Sequence, residues 1–206
     1  MKSFIVLCGG MSRRLGRDKG SMKINGKPMI IHVIETITPI ADEIVLVLRD
    51  ENQAESYKNF FKKFKSSKYA DIKVLTDILK DQGPLAGILT GLINISSDKA
   101  MVIPCDSPFI SEQFINRIYE TSEKLDCDAF VPKWSEGRLE PLHSIYKKNV
   151  HPTIQKLLHD DIRDVKTLLT KLNVKYIDAE SLDVSGMSFY NMNQMKDVLK
   201  FNDGED

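Results

Sequence analysis

Short apolar runs alternate with amphipathic stretches along most of the chain. "FIVLCGG" (4–10), "EIVLVLR" (43–49), "IKVLTD" (72–77), "KAMVIPCD" (99–106) and "CDAFVPK" (127–133) are rich in β-branched residues and stop at glycine, aspartate or a basic residue. They predict buried strands. Between them, "PMIIHVIETI" opens on Pro28, a residue suited to the first helical position. "ENQAESYKNFFKKF" sets Tyr57, Phe60, Phe61 and Phe64 on one helical face. "GPLAGILTGLINI" reads as an apolar helix, and "SEQFINRIYETSEKL" as an amphipathic one with Ser111 as its N-cap. Alternation of this kind predicts an α/β protein, a three-layer α/β/α domain around a mostly parallel, doubly wound sheet.

Beyond Lys133 the pattern loosens. "WSEGRLEPLHSIY" predicts a turn and a returning strand, "TIQKLLHD" and "VKTLLTKL" short helices, "VKYID" a strand and "NQMKDVLKF" a terminal helix. The whole reads as one domain over 1–201, with a nucleotide-binding part at about 1–110, a substrate part at about 111–201 and a polar tail at 202–206.

Composition narrows the function more than the fold. The 206 residues carry 29 basic and 29 acidic side chains, so there is no global field to attract nucleic acid. No apolar stretch approaches a membrane span, and the first residues lack the long apolar core of a signal peptide. A cytoplasmic protein is expected. Cys8, Cys105 and Cys127 are far apart in sequence and form no Cys-x-x-Cys, which suits reduced thiols and not a zinc site.

In a doubly wound sheet, ligands sit beyond the carboxyl ends of the strands. Gly9 and Gly10, Asp77 and Asp106 all follow predicted strands, so they can converge. The loop "IVLCGGMSRRLGRDKGSMKINGKP" joins a glycine pair to Arg13, Arg14, Arg17 and Lys19. Glycine lets backbone N–H groups approach phosphate oxygens, and the cations supply charge. This predicts a triphosphate cradle. The loop satisfies neither Gly-x-x-x-x-Gly-Lys-Ser/Thr nor Gly-x-Gly-x-x-Gly, which points away from P-loop ATPases and dehydrogenases. Asp106 is a candidate magnesium ligand, because Mg2+ needs only one or two protein carboxylates when substrate phosphates complete its shell. Asp77 is a candidate acceptor for a base or ribose group. Asp18 reads as a brace for Arg14 or Lys19. Gly83, Gly87 and Gly91 give the third helix a smooth face for close packing or a ligand. The four histidines form no recognisable nucleophilic triad, and structural roles are expected for them, His143 included.

These motifs resemble the molybdenum cofactor guanylyltransferases. The loop matches the family's Leu-Ala-Gly-Gly, Ser-Arg-Arg-Met-Gly, Asp-Lys and Gly-Lys-Pro-Leu pattern, and the likeness continues in "GPLAGILTGL", "IPCDSPFI", "EPLHSIY" and "YNMN". It implies a Rossmann-like nucleotidyltransferase fold. It also implies nucleotide contacts from the backbone of Leu7, Cys8 and Gly9 and from Asp77, phosphate binding by Arg14 and Lys19, and Mg2+ on Asp106. The segment with Asn191 and Asn193 would face the pterin. Trp134, in "KWSEGRLEP", would either stack on that pterin from a mobile loop or pack on the surface. Two positions depart from the family. Cys8 replaces alanine and puts a thiol near the nucleotide. Val47 stands where some members carry a nucleotide-contacting asparagine.

The resemblance implies transfer of GMP from GTP to molybdopterin or its molybdenum-loaded form, with release of pyrophosphate. GTP and the pterin would be the partners, with other cofactor-biosynthesis proteins, and neither nucleic acid nor membrane. Loop charges do not select a base, so a cytidylyltransferase or another nucleotidyltransferase stays open. So does a non-catalytic binding protein, although Lys19 and Asp106 argue against it.

Overall fold

The computed structural model of the chain describes residues 1–9, 18–63, 72–79 and 82–192, together with Asp197 and Phe201. Nine strands and seven α-helices occur among them. They are β1 (Ser3–Leu7), β2 (Lys23–Ile24), β3 (Lys27–Pro28), α1 (Met29–Ile37), β4 (Glu43–Leu48), α2 (Glu51–Lys63), β5 (Ile72–Thr76) and α3 (Gly83–Asn94). Then follow β6 (Lys99–Pro104), α4 (Glu112–Lys124), β7 (Ala129–Lys133), β8 (Ile145–Lys147), α5 (His151–His159), α6 (Val165–Leu169), β9 (Val174–Asp178) and α7 (Ala179–Leu182).

The main sheet has the order β5-β4-β1-β6-β8-β7-β9. Every pairing in it is parallel except those of β8, which runs antiparallel to both β6 and β7. The three-layer, doubly wound expectation therefore holds, and β8 is the returning strand predicted after Lys133.

Side-chain alternation along β1 explains the two faces. Phe4, Val6 and Cys8 enter a core with α1, α2, α4 and α7, whereas Ile5 and Leu7 enter one with α3, α5 and α6. Because period-2 alternation serves two covered faces, β1 is apolar from Phe4 to Leu7. The glycine face of α3 is part of this packing. A Cβ on Gly91 would lie 2.4 Å from Ile5 Cγ2.

Chain order in the sheet starts at β1, moves outward through β4 to β5, then crosses back over to β6. The reversal puts a crevice between the carboxyl ends of β1 and β6, where an open α/β sheet binds ligands. One local detail differs from expectation. Helix α1 starts at Met29, and Pro28 is its N-cap, still extended at φ −58 and ψ 143. It is held there by the hairpin of β2 and β3, whose Asn25-Gly26 turn has φ 49 and 71, the left-handed pair that a two-residue hairpin requires. The predicted terminal helix and Phe64 lie largely outside the described residues.

Candidate active site

A cleft of about 210 Å3 opens at the β1–β6 crevice, and Leu7, Cys8, Gly9, Asp18, Lys19, Cys105, Asp106 and Leu142 are among its walls. Five of the residues expected from sequence thus meet here: Leu7, Cys8, Gly9, Lys19 and Asp106. Gly10, Arg13, Arg14, Arg17 and Asn193 lie outside the described residues.

Local chain chemistry explains how Lys19 reaches the cleft. Asp18 caps a single 3-10 turn, Lys19–Ser21, its carboxylate accepting from the Gly20 amide at 3.3 Å. Gly20 is needed beneath this turn: a Cβ there would lie 2.2 Å from the Tyr57 hydroxyl. The turn aims Lys19 Nζ at Asp106 Oδ2, 2.8 Å away, with both side chains mostly shielded from solvent. Asp18 is therefore a brace, acting through the backbone of the turn. Burial raises its pKa, and the hydrogen bond from the Gly20 amide acts in the opposite direction.

Asp106 follows β6 in a tight turn anchored by Cys105 N donating to Leu7 O at 3.0 Å and Ser107 N donating to Pro104 O at 3.3 Å. Its carboxylate is of the chemical type that a hard divalent cation takes as a ligand. Among the described residues no cluster of three or more His, Cys, Asp or Glu side chains could hold a metal on its own. One carboxylate facing a cleft fits a metal that arrives with substrate phosphates, which complete the shell.

Asp77 stands beyond β5, on the α3 side. Thr90 Oγ1 donates to its Oδ1 at 2.9 Å, and the Leu79 amide adds a contact at 3.3 Å. Burial raises its pKa, and these hydrogen bonds counter that. A Cβ on Gly87 would sit 3.0 Å from Leu7 Cδ2 and 3.9 Å from Asp77 Oδ2, so Gly87 keeps the floor between Asp77 and Leu7 low.

Two departures noted in the sequence resolve structurally. The Cys8 side chain is 5% exposed and packs with Cys105 into the α1–α2 core; burial foremost pushes its thiol pKa well up, which keeps it protonated and unreactive. Its backbone is engaged as well: Cys8 N donates to Val47 O at 2.9 Å, and Gln53 Nε2 donates to Cys8 O at 3.0 Å. Val47 is a core residue with 1% exposure, and the chain leaves β4 at Arg49, beside Gly9.

Trp134 packs on the protein itself. It stacks edge-on against Phe189 with centroids 5.3 Å apart, lies under the Arg138 guanidinium, and donates through Nε1 to Glu140 Oε1 at 2.8 Å. Its loop closes on itself through Trp134 N to Arg138 O at 2.9 Å.

A connected set of buried polar groups escaped the sequence reading. His143 Nε2 is 2.9 Å from Ser107 Oγ, and Ser107 Oγ is 2.5 Å from Asn191 Oδ1. On the other side of the ring, His143 Nδ1 faces Glu140 Oε2 at 3.8 Å and has no hydrogen-bond partner. Met192 N donates to Asp106 O at 2.9 Å. Asn191 therefore sits against the Asp106 turn. The Glu-x-x-His spacing in "EPLHS" was the available signal, but nothing in the sequence paired it with Ser107.

A strand-end cleft with a lysine–carboxylate pair at the reversal point of a parallel sheet defines a nucleotide-handling transferase. The chain belongs to the family of proteins with the MobA-like NTP transferase domain, whose model matches residues 4–175. It is 36% identical over 200 residues to a probable molybdenum cofactor guanylyltransferase of Methanothermobacter thermautotrophicus, covering 96% of this chain and 98% of that one. It is 35% identical to a protein of the same description from Natranaerobius thermophilus, over 95% of this chain and 92% of that one. The solved structure of molybdopterin-guanine dinucleotide biosynthesis protein A from Archaeoglobus fulgidus superposes with a TM-score of 0.82 at 29% identity, covering 98% and 97% of the two chains. A 4-diphosphocytidyl-2C-methyl-D-erythritol synthase from Anaerococcus prevotii shares the fold at a TM-score of 0.71 and 14% identity, over 98% and 94% of the chains.

Proposed function

We propose that the chain transfers a guanylyl group from GTP to molybdopterin, or to its molybdenum-loaded form, and releases pyrophosphate. The observation that carries this reading is the full-length similarity to guanylyltransferases, joined to a Lys19–Asp106 pair at the sheet's reversal point.

The terminal phosphate oxygen of the pterin attacks the α-phosphorus of GTP. A P–O bond forms there as the bond to the α–β bridging oxygen breaks, and that oxygen leaves with pyrophosphate. The nucleophile is already anionic, so no strong general base is needed. Alignment and charge neutralisation are the protein's task. Lys19 and Arg14 hold phosphate oxygens, and Gly9 and Gly10 let the backbone come close. Leu7 and Cys8 form the floor, and Asp77 approaches the nucleoside. Asp106 would hold Mg2+, which when bound draws charge off the phosphates. Asn191 and Asn193 would serve the acceptor, in a chain with a nucleotide part at about 1–110 and an acceptor part at about 111–201. No helix among the described residues is long and apolar enough to cross a membrane, which accords with work in the cytoplasm beside other cofactor-biosynthesis proteins.

The test incubates purified protein with molybdopterin, Mg2+ and each nucleoside triphosphate in turn, and follows pyrophosphate release. GTP is expected to give it. Release with CTP and not GTP would overturn the base, and tight GTP binding without any release would make the chain a binding protein.

A further inference from the structure

Three buried polar side chains lie behind Asp106. Ser107 is fully buried, His143 is 1% exposed and Glu140 8% exposed. Interior polar groups cost stability unless each is bonded, and folding alone would be served as well by apolar residues of similar volume. Their connections explain why they are there. Glu140 is fixed from outside through Oε1 by Trp134 Nε1 and Arg138, and its Oε2 faces His143 Nδ1. The other ring nitrogen of His143 meets Ser107 Oγ, which in turn meets Asn191.

Ser107 has one proton to give. Given to Asn191 Oδ1, it leaves His143 to donate through Nε2; given to His143, it leaves the Asn191 amide to donate. Either way the Ser107 hydroxyl is bonded on two sides, from β8's leader and from the Tyr190–Met192 segment. The same segment returns to the neighbouring residue through Met192 N to Asp106 O. Phe189 closes the arrangement, with its ring 5.5 Å from His143, 5.3 Å from Trp134 and 4.9 Å from Phe114.

We propose that His143 is a positioning residue: bonded to Ser107, with Glu140 3.8 Å behind its other ring nitrogen, it forms a buried strut that fixes the Asp106 turn and docks the Ser188–Met192 segment against it. The direction of the Asp106 carboxylate thus depends on a histidine from the acceptor part. The nucleotide–metal site is complete only with that segment in place. This rests on Asp106 as the metal ligand. Groups that orient a ligand from behind it typically set metal affinity or activity by about 10- to 100-fold.

The experiment titrates Mn2+ by electron paramagnetic resonance into protein saturated with a non-hydrolysable GTP analogue, for wild type, Asp106→Ala, His143→Leu, His143→Gln and Ser107→Ala. Leucine keeps the packing and loses the bond; glutamine places a polar atom near that of Nε2. His143→Leu and Ser107→Ala are expected to weaken Mn2+ binding about tenfold or more, with His143→Gln within about threefold of wild type. Affinity for the analogue without metal should stay within about twofold. Wild-type Mn2+ affinity in both His143→Leu and Ser107→Ala overturns the strut, as does a glutamine variant no better than leucine. Should His143→Leu fail to fold, Ser107→Ala decides alone. If Asp106→Ala binds Mn2+ as wild type does, the assignment of the ligand itself has failed, and the strut with it; that result is distinct from loss confined to the strut variants.

Discussion

Lys19 Nζ and Asp106 Oδ2 lie 2.8 Å apart across the cleft at the β1–β6 crevice, and both side chains are mostly shielded. Each therefore holds the other in place at the mouth of the cleft. Lys19→Met should lower kcat by about 100- to 1,000-fold, the usual loss when one group that neutralises developing charge is removed. It should leave the fold unchanged by circular dichroism. Asp106→Ala should abolish turnover and leave an intact fold, since its partner is a flexible lysine. A Lys19→Met enzyme as fast as wild type would remove Lys19 from the chemistry.

Gly20 and Tyr57 are matched by volume. Gly20→Ala brings a methyl group to 2.2 Å from the Tyr57 hydroxyl, and Cys105 Sγ stands at 3.2 Å. The expected cost is about 1–3 kcal/mol, seen as a lower denaturation midpoint. Tyr57→Phe removes the closest atom, so the double variant should recover part of that loss. Strict additivity of the two substitutions in a double-mutant cycle would show that they are not in contact.

The glycines of α3 separate stability from binding. Gly91→Ala meets Ile5 at 2.4 Å and should destabilise the protein by about 1–3 kcal/mol. Gly87→Ala meets Leu7 Cδ2 at 3.0 Å, with its other neighbours at ordinary contact distance, but raises the floor beside Asp77. It should weaken GTP binding measured calorimetrically and shift the melting temperature far less than Gly91→Ala does. The reverse ranking would place the nucleoside away from Gly87.

Burial lowers the pKa of His143 to about 3. The unfolded chain titrates at about 6.5, so between those values it binds a proton that the folded protein refuses. Stability then rises with pH across that window and is lost as pH falls, by about 1.4 kcal/mol per unit. Glu140 Oε2 and Ser107 face the ring, and other carboxylates titrate nearby, so the variant comparison isolates the effect. The stability gap between wild type and His143→Leu should shrink by about that amount for each unit from pH 6.5 to 4. A gap independent of pH would mean the ring is charged, or solvated, in the folded state.

The sheet, its faces and the cleft residues were legible because each rests on local pattern. Alternation in "FIVLC" sends Leu7 and Cys8 to opposite cores, and aspartates after apolar runs mark strand ends. The resemblance added the nucleotide and the acceptor. What could not be read was long-range pairing. Ser107 and His143 are 36 residues apart, and only the antiparallel return of β8 brings them together. The Cys8 thiol, expected near the nucleotide, faces the α1–α2 core, because the residue just past an alternating strand still obeys its period.

That antiparallel strand also orders events during synthesis. β6 pairs with β1 on one side and with Ile145–Lys147 of β8 on the other. Until those residues leave the ribosome, one flank of β6 is a row of unmet amides and carbonyls, and β7 has emerged with no neighbour on that side. An open apolar edge of this kind recruits strands from other molecules. A chain that has emerged only as far as residues 133 to 145 is therefore prone to aggregate, and the three residues of β8 fill that gap before β9 covers the far side of β7.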